Sequence, residues 1–434
     1  MRPAPPFIAA LLLCAVLGAI VSLGFAPLSL FGAAGAALLL VAMIDALRLR
    51  ALPTPAITRE LPPIVPLGVE RAVTLRLRHE GRAPLRVDVH DLHPGDWPTQ
   101  GLPRRVTVPP ALELGMPYQL TPAARGRFRF DGCALRLHSP LRLWRQRRIV
   151  ATSQTVRVYP NFAPLARLAL VGAEQASRVV GAHLKRRRGE GTEFQQLREY
   201  RVGDSLRQID WKASRRALKL ISREYQDERN QQVMLLLDTG RRMLARDDTL
   251  AHFDHVLNAA LMVAYIALRQ GDAVGLLAAG GESRYMAPRR SLGTVDTLLN
   301  TVFDLNAQPV ATDYLEAATL LGARQSRRCL VLLITNARDE DIEDLLAAVS
   351  QLRRRHVVCV ASLREEVLDR AVGAPVQTFD DAIHVAATMQ YVEQRARTHR
   401  ALRAQGADVL DVTCRELPGA LVEHYLAVKR AARL

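Results

Sequence analysis

From Phe7 to Phe25 the chain carries no charged side chain, and from Leu28 to Ile44 the pattern repeats, with Pro27 between the two runs. At about 1.5 Å of rise per residue each run approaches the roughly 30 Å hydrocarbon core of a bilayer, so the pattern predicts two membrane-spanning helices joined by a very short turn. Arg2 precedes the first run, Asp45, Arg48 and Arg50 end the second, and the turn has no basic residue. By the positive-inside bias, both ends of this hairpin (residues 1–50) and the main soluble region are expected on the cytoplasmic side of an inner or plasma membrane. A cleaved signal peptide is the competing reading, from Arg2, the apolar stretch and the small residues near Gly24 and Ala26, but it would leave the second run as a span. Gly32, Gly35 and Ala36 would permit close helix packing without defining an oligomer.

Pro53, Pro55, Pro62, Pro63 and Pro66 then make a linker-like passage, after which hydrophobic positions alternate with polar ones. Val73, Leu75 and Leu77 can face one way while Thr74, Arg76 and Arg78 face the other; Leu85, Val87 and Val89 repeat the device, as do Phe128 and Phe130. With turns expected at Gly81, Gly95, Gly115 and Gly132, residues 51–160 are predicted to form an antiparallel β-sandwich, closing near Val158 and Pro160. No catalytic constellation occurs in it.

Residues 161–232 form a basic segment expected to be helical. Residues 233–434 alternate apolar strand runs with amphipathic helices. Val233–Leu237, Ala273–Ala278, Leu330–Ile334, Val357–Ala361 and Val409–Val412 read as buried strands, and Phe253–Arg269 as a helix with Leu257, Ala260, Leu261, Ala264 and Leu268 on one face. That alternation predicts a doubly wound α/β domain with its strand ends on one rim. The fold class is therefore multi-domain: a transmembrane hairpin, a β-sandwich and an α/β domain.

At 49% hydrophobic, 434 residues are enough to fill such cores, so disorder is excluded as the default. The formal charge of +16 comes mainly from arginines spread over every segment. An anionic membrane surface would attract it as well as nucleic acid would, and with no nucleic-acid-binding module none is expected. Cys14, Cys133, Cys329, Cys359 and Cys414 are scattered and are expected to be reduced, mostly buried thiols. Gly189, Glu190 and Gly191 begin like a dinucleotide loop but meet Phe194 at the third glycine position, and Gly280–Gly281 lacks the Lys and hydroxyl pair of a phosphate loop. His252, His255, His356 and His384 stand singly in sequence. No catalytic residue or cofactor is assigned, and the chain is not expected to be an enzyme.

The rim after the first α/β strand carries Asp238, Thr239, Gly240, Arg241, Arg242 and Met243. An acid at this place resembles the start of the metal-ion-dependent adhesion site of von Willebrand factor A-type domains, where an Asp and two Ser hydroxyls supply hard oxygen ligands to Mg²⁺. Here Gly240 and Arg242 stand where the serines would be, and Asn336, after Leu333, Ile334 and Thr335, stands where a further Asp is usual. The Arg242 charge would oppose a cation. The rim is therefore read as a degenerate metal site with no Mg²⁺, its Asp238 accepting hydrogen bonds from the following turn or pairing with an Arg. Asp339, Glu340, Asp341, Glu343 and Asp344 read as an acidic helix start.

Upstream, Gly189, Gly191, Glu193, Phe194, Leu197, Arg198, Tyr200, Gly203, Asp204, Arg207, Ile209, Trp211, Lys212, Ser214 and Arg215 match, in order and spacing, the signature of domain-of-unknown-function family fifty-eight. The resemblance extends to a two-helix anchor, a β-sandwich with an Arg125–Gly126 pair and a Ser139–Pro140–Leu141 turn, and a von Willebrand A-like domain. One departure is that His138 and Ser139 stand where an Asp usually precedes the proline. Physically, Glu193, Phe194, Arg198, Tyr200, Asp204, Arg207, Trp211, Lys212, Ser214 and Arg215 suit either an internal brace or a partner-docking face, since Trp and Arg serve both. The resemblance implies a membrane-anchored scaffold or adaptor working with a MoxR-type AAA+ ATPase in protein maturation or envelope maintenance. The alternative is an enzyme or small-ligand site at the rim around Asp238, Arg241 and Arg242. A third reading is an anionic-lipid or nucleic-acid binder acting through Lys185, Arg186, Arg187 and Arg188.

Overall fold

The computed structural model describes all residues except 26, 162–192, 202–205, 207–208, 227–230, 248–249, 432 and 434, together with the side chains of 193–196 and 224–226. The chain divides into two compact units, Met1–Tyr159 and Pro160–Leu434.

The first unit opens with a short strand, β1 (Arg2–Pro3), and helices α1 (Pro5–Ser22) and α2 (Leu28–Ala51). Proline in the first turn starts α1, where its missing N–H has no partner to lose. Gly24, at φ 85°, turns the chain between the helices. Both helices are long and apolar enough to cross a membrane, and most of their surface is exposed. Apolar area left in water costs about 25 cal/mol per Å², a cost that vanishes in hydrocarbon. The helices meet at Gly18, where a Cβ would stand 3.1 Å from the Phe31 ring, and not at Gly32 or Gly35, which face open space.

Strands β2 (Ala56–Glu60), β3 (Ile64–Pro66), β4 (Arg71–Arg78), β5 (Leu85–Asp91), β6 (Thr99–Gln100), β7 (Arg104–Val108), β8 (Glu113–Leu120), β9 (Gly126–Phe130), β10 (Cys133–His138), β11 (Trp144–Val150) and β12 (Gln154–Tyr159) follow. They form sheets in the orders β1-β11-β10-β5-β7, β2-β4-β8-β6 and β3-β12-β9, antiparallel except for the β12–β3 pair. Val73, Leu75 and Leu77 are buried on β4 and Val87 and Val89 on β5, as the alternation predicts. Gly115, expected at a turn, instead lies inside β8 opposite Arg76. Pairing with β4 and the inward alternation of Met116, Tyr118 and Leu120 outweigh the local preference of one glycine. Between two of the sheets, the buried carboxylate of Asp91 accepts from Arg59 of β2 at 2.5 and 2.9 Å and from the Tyr118 hydroxyl of β8 at 2.6 Å.

The helical hairpin is joined to the sheets by a buried carboxylate and the contacts around it. Asp45, fully buried on α2, accepts the backbone N–H groups of Leu141 at 2.9 Å and Leu143 at 3.2 Å. Trp144 Nε1 donates to the Ala42 carbonyl at 2.8 Å, and Arg148 donates to the carbonyls of Leu49 and Leu52 at the end of α2. Ser139 Oγ accepts the Trp144 N–H at 2.9 Å. Asp45→Ala leaves two part-buried N–H groups without their acceptor. It is expected to lower the stability of this unit by about 1–3 kcal/mol in a melt of the detergent-solubilised chain, with Asp45→Asn costing less.

In the second unit the basic segment, expected to be helical, forms an antiparallel pair over its described part, β13 (Glu193–Glu199) with β14 (Ile221–Gln226), around a single seven-residue helix, α3 (Trp211–Ala217). Helix-favouring Arg, Leu, Glu and Gln are overruled by long-range strand pairing, a tertiary effect invisible to local propensity. The run Lys185–Arg188 lies outside the described residues.

The remaining chain builds β15 (Gln232–Asp238), the two-residue strands β16 (Arg246–Asp247) and β17 (Leu250–Ala251), α4 (His252–Arg269), β18 (Ala273–Ala279), β19 (Arg284–Arg289), α5 (Thr294–Val302) and α6 (Tyr314–Arg324). It continues with β20 (Leu330–Thr335), α7 (Ile342–Arg353), β21 (Val357–Arg364), α8 (Glu366–Val372), α9 (Phe379–Ala404), β22 (Asp408–Thr413) and α10 (Leu417–Arg430). The six-stranded sheet runs β19-β18-β15-β20-β21-β22, parallel except for the edge strand β19. Met234, Leu236, Val331 and Leu333 pack on α6 and α7 from one face. Val233, Leu235 and Leu237, alternating with them, are buried on the other, and α4 packs against β15, β18 and α10. This is a doubly wound sheet whose order reverses between β15 and β20, so the crevice outside the carboxyl ends of those two strands is where such folds collect polar groups.

Candidate functional site

Asp238 ends β15 at that reversal and is 3% exposed. Its Oδ1 accepts from the Gly240 N–H at 2.7 Å and the Thr312 hydroxyl at 2.5 Å; its Oδ2 accepts from Thr335 Oγ1 at 2.6 Å and the Tyr314 hydroxyl at 2.9 Å. A carboxylate has about four acceptor positions, and four donors from the same chain take them up. Burial, and then the Asp238 charge, push the Tyr314 phenol well above its usual range, so it keeps the proton it donates.

The loops converging here interlock through backbone. Arg241 N–H donates to the Val310 carbonyl, Gln308 N–H to the Thr239 carbonyl, and Thr239 Oγ1 to the Ala279 carbonyl. The approach is so close that a Cβ at Gly240 would stand 2.2 Å from Thr312 Oγ1. Position 240 therefore has no room for a side chain while Thr312 holds Asp238.

Arg242 is buried at the same rim. Its guanidinium donates to the Asn336 carbonyl at 3.2 Å and pairs with Asp341 and, at 3.4 Å, with Glu340. Arg241, on the surface, pairs with Glu340 at 3.2 Å. Asn336 is fully buried, with Nδ2 donating to Glu365 at 2.8 Å and Oδ1 accepting from Arg395 at 2.9 Å. An Asp has no N–H donor and would face Glu365 with a like charge, so the amide suits this bridge where a carboxylate does not. Arg395 continues the network to Ser362 at 2.7 Å and Asp411 at 3.1 Å. Burial raises the Glu365 carboxyl, but a backbone N–H, Asn336, Arg338 and His252 outweigh it and hold the group below the usual range. Burial lowers the His399 imidazole to about 4, aided by Arg395 and opposed by Asp411.

The acidic run does begin a helix, after a 3-10 turn at Asp339–Asp341, but it also clamps its neighbours. Besides the Asp341–Arg242 pair, Asp344 accepts the Tyr314 N–H at 2.7 Å and so holds the start of α6. Two cavities, of about 230 and 560 Å³, are lined by Cys414, His255 and Asn258 and by Asp313, Glu316 and Asp344; neither includes Asp238.

The signature residues divide by role. Asp210, which sequence reasoning did not place among the candidates, caps α3 by accepting from Lys212 N–H at 3.0 Å and Ala213 N–H at 2.9 Å, and it binds Arg223 at 2.9 Å. Ser214, buried, donates to the Asp210 carbonyl at 2.7 Å and accepts the Ile221 N–H at 2.8 Å, tying α3 to β14. Leu218, in the left-handed region at φ 54°, ends the helix. Trp211, 69% exposed, and Lys212 and Arg215 face solvent. Tyr200 N–H pairs with the Leu220 carbonyl, and Arg198 donates to the Glu199 carbonyl. Glu193 and Phe194 pair through backbone with Gln226 and Tyr225; Asp204 and Arg207 lie outside the described residues.

These features define a chain with two apolar N-terminal helices, antiparallel sheets and a mixed α/β domain whose strand-end carboxylate is saturated by its own donors. Residues 196–408 match the family model described as "Protein of unknown function DUF58", and this part of the chain belongs to that family. No curated protein matches the chain. Among solved structures it is similar to an aerotolerance-related membrane protein from Bacteroides fragilis, at 16% identity over 46% of this chain and 99% of that one, with a TM-score of 0.31. It is also similar to proximal thread matrix protein 1 from the mussel byssus, at 10% identity over 46% of each chain, with a TM-score of 0.29. Likenesses this distant bear on neither fold nor function.

Asp238→Ala is expected to cost the α/β unit about 3–5 kcal/mol, read by thermal or denaturant melting, because it leaves three buried hydroxyls without their acceptor. Gly240→Ser is expected to destabilise by about 1–3 kcal/mol through its clash with Thr312.

Proposed function

We propose that this chain is a membrane-anchored adaptor, held by α1 and α2 with both termini cytoplasmic, whose von Willebrand A-like α/β unit presents its rim and the 193–226 hairpin to a protein partner. The observation that carries the reading is the split within the signature: Asp210 and Ser214 brace the hairpin from inside, leaving Trp211, Lys212 and Arg215 exposed. Leu218 is 93% exposed beside them. A large aromatic with neighbouring cations, not needed for the internal brace, has the composition of an interface anchor.

A second exposed apolar group supports the same reading. Val367 and Val372 on α8, Val376 after it, and Phe379, Ile383 and Met389 on α9 are all exposed, with Phe379 at 80%. Soluble surfaces seldom leave such a group uncovered unless something binds there. The closed Asp238 and the Arg242–Asp341 pair argue against metal-assisted or acid–base chemistry at the rim, and so for docking over catalysis. From the family resemblance, the partner is a MoxR-type AAA+ ATPase, and the role is protein maturation or maintenance of the cell envelope.

Affinity purification of the tagged full-length chain from solubilised membranes, with and without ATP, tests this. An AAA+ ATPase is expected to co-purify, and Trp211→Ala to reduce its recovery roughly tenfold, the loss of about 1.4 kcal/mol typical of an anchor, with the melting temperature unchanged. Equal recovery with the variant, or a large loss of stability, contradicts the docking role.

A further inference from the structure

Two neighbouring elements and one distant in sequence bring three ligand-capable side chains together. Asp247 ends β16, His252 begins α4, and Cys414 follows β22. One ligand-capable atom from each lies within 4.8 Å of the others. A tetrahedral zinc site with ligands about 2.0–2.3 Å from the ion has edges of about 3.3–3.8 Å, so small side-chain rotations would bring these atoms to such a site.

The local chemistry is unusual for a packed core. His252 is fully buried, and neither ring nitrogen has a hydrogen-bond partner among the described residues. Its Nε2 lies 3.2 Å from Asp247 Oδ2, the one polar group it approaches that closely among the described residues. Buried imidazoles and carboxylates almost always find partners, because leaving them unmet costs their full desolvation. His252 and Cys414 both approach the Asp247 carboxylate, so the three groups surround one point while His252 Nδ1 has no partner among the described residues. The surroundings favour a cation there: Glu365 is close enough to act electrostatically on His252, and its Oε2 is also unpartnered among the described residues. The nearest balancing charges are taken, Arg415 by Glu366 at 3.0 Å and Arg338 by Glu365 at 2.8 Å.

We propose that Asp247, His252 and Cys414 bind a divalent transition metal of the zinc class. A thiolate with an imidazole selects zinc-like ions over Mg²⁺ or Ca²⁺, which take oxygen ligands. Three protein ligands leave one position open, as in zinc sites that keep a water. Cys414 also lines the 230 Å³ cavity, where buried His255 Nε2 and Asn258 Oδ1, unpartnered among the described residues, can bond such a water. This inference does not depend on the adaptor reading. The metal would tie α4 to the end of β22, two elements on the far side of the sheet order from each other.

The test uses the full-length chain, purified in detergent without a polyhistidine tag, stripped with chelator and titrated with Co²⁺ and then Zn²⁺. One equivalent of Co²⁺ is expected to bind with a thiolate-to-cobalt charge-transfer band that Zn²⁺ abolishes. Cys414→Ser should remove the band, and His252→Gln should weaken zinc binding by at least about tenfold. Alkylation mapped by mass spectrometry on the unsubstituted chain gives a readout independent of variant folding: Zn²⁺ should protect Cys414. No cobalt band, a band that survives in folded Cys414→Ser, or protection confined to other cysteines would overturn the proposal.

Discussion

The α/β unit is organised around a buried negative charge that the chain neutralises with its own hydrogen bonds. Asp238 sits where a doubly wound sheet reverses its strand order, the position at which strand ends open toward a ligand. Left bare there, a carboxylate would demand a cation or water. Gly240, Thr312, Tyr314 and Thr335 occupy its lone pairs instead, and these donors bring the loops after β15, α5 and β20 to one point. The rest of the rim follows from that closure. Gly240 cannot carry a side chain, Arg242 turns to Asp341, and Asn336 becomes an amide bridge between Glu365 and Arg395. At the surface of the rim, Arg241 and Arg242 are balanced by Glu340 and Asp341.

In the first unit Asp45 plays a comparable part. It sits one residue beyond the second apolar run, and its two hydrogen bonds to the Leu141 and Leu143 backbone couple the helical hairpin to the β-sheets. The first charge after an apolar segment is commonly read only as a boundary; here it is also the joint.

Much of this was legible in the amino-acid order, wherever the signal is periodic or long. The apolar runs marked α1 and α2, period-two alternation marked β4 and β5, and buried runs marked five parallel strands, four of them to within one residue at each end and β21 short of its end at Arg364. The signature located the family. Local reading failed where pairing partners are distant: the 193–226 segment has helical propensity yet pairs as strands, Gly115 is held inside β8 by its neighbour, and polar, proline-containing β19 has the weak pattern of an edge. The site was half legible. Asp238, Gly240, Arg242 and Asn336 were identified by position, but the hydroxyl donors that close the carboxylate lie 74, 76 and 97 residues away, in a loop, at a helix start and at a strand end without a motif. The Asp247, His252 and Cys414 group was illegible for the same reason, since only folding places its members together.

The closure of Asp238 is tested most directly by titrating Mg²⁺ to millimolar concentration against the melting temperature of the full-length chain, with Asp238→Asn in parallel. Ligand linkage would raise the melting temperature of any protein that binds the ion in its folded state. The account predicts no Mg²⁺-dependent shift in either protein. A saturable rise in the unsubstituted chain that Asp238→Asn removes would contradict it, and would return the rim to the metal-binding chemistry that its strand order allows.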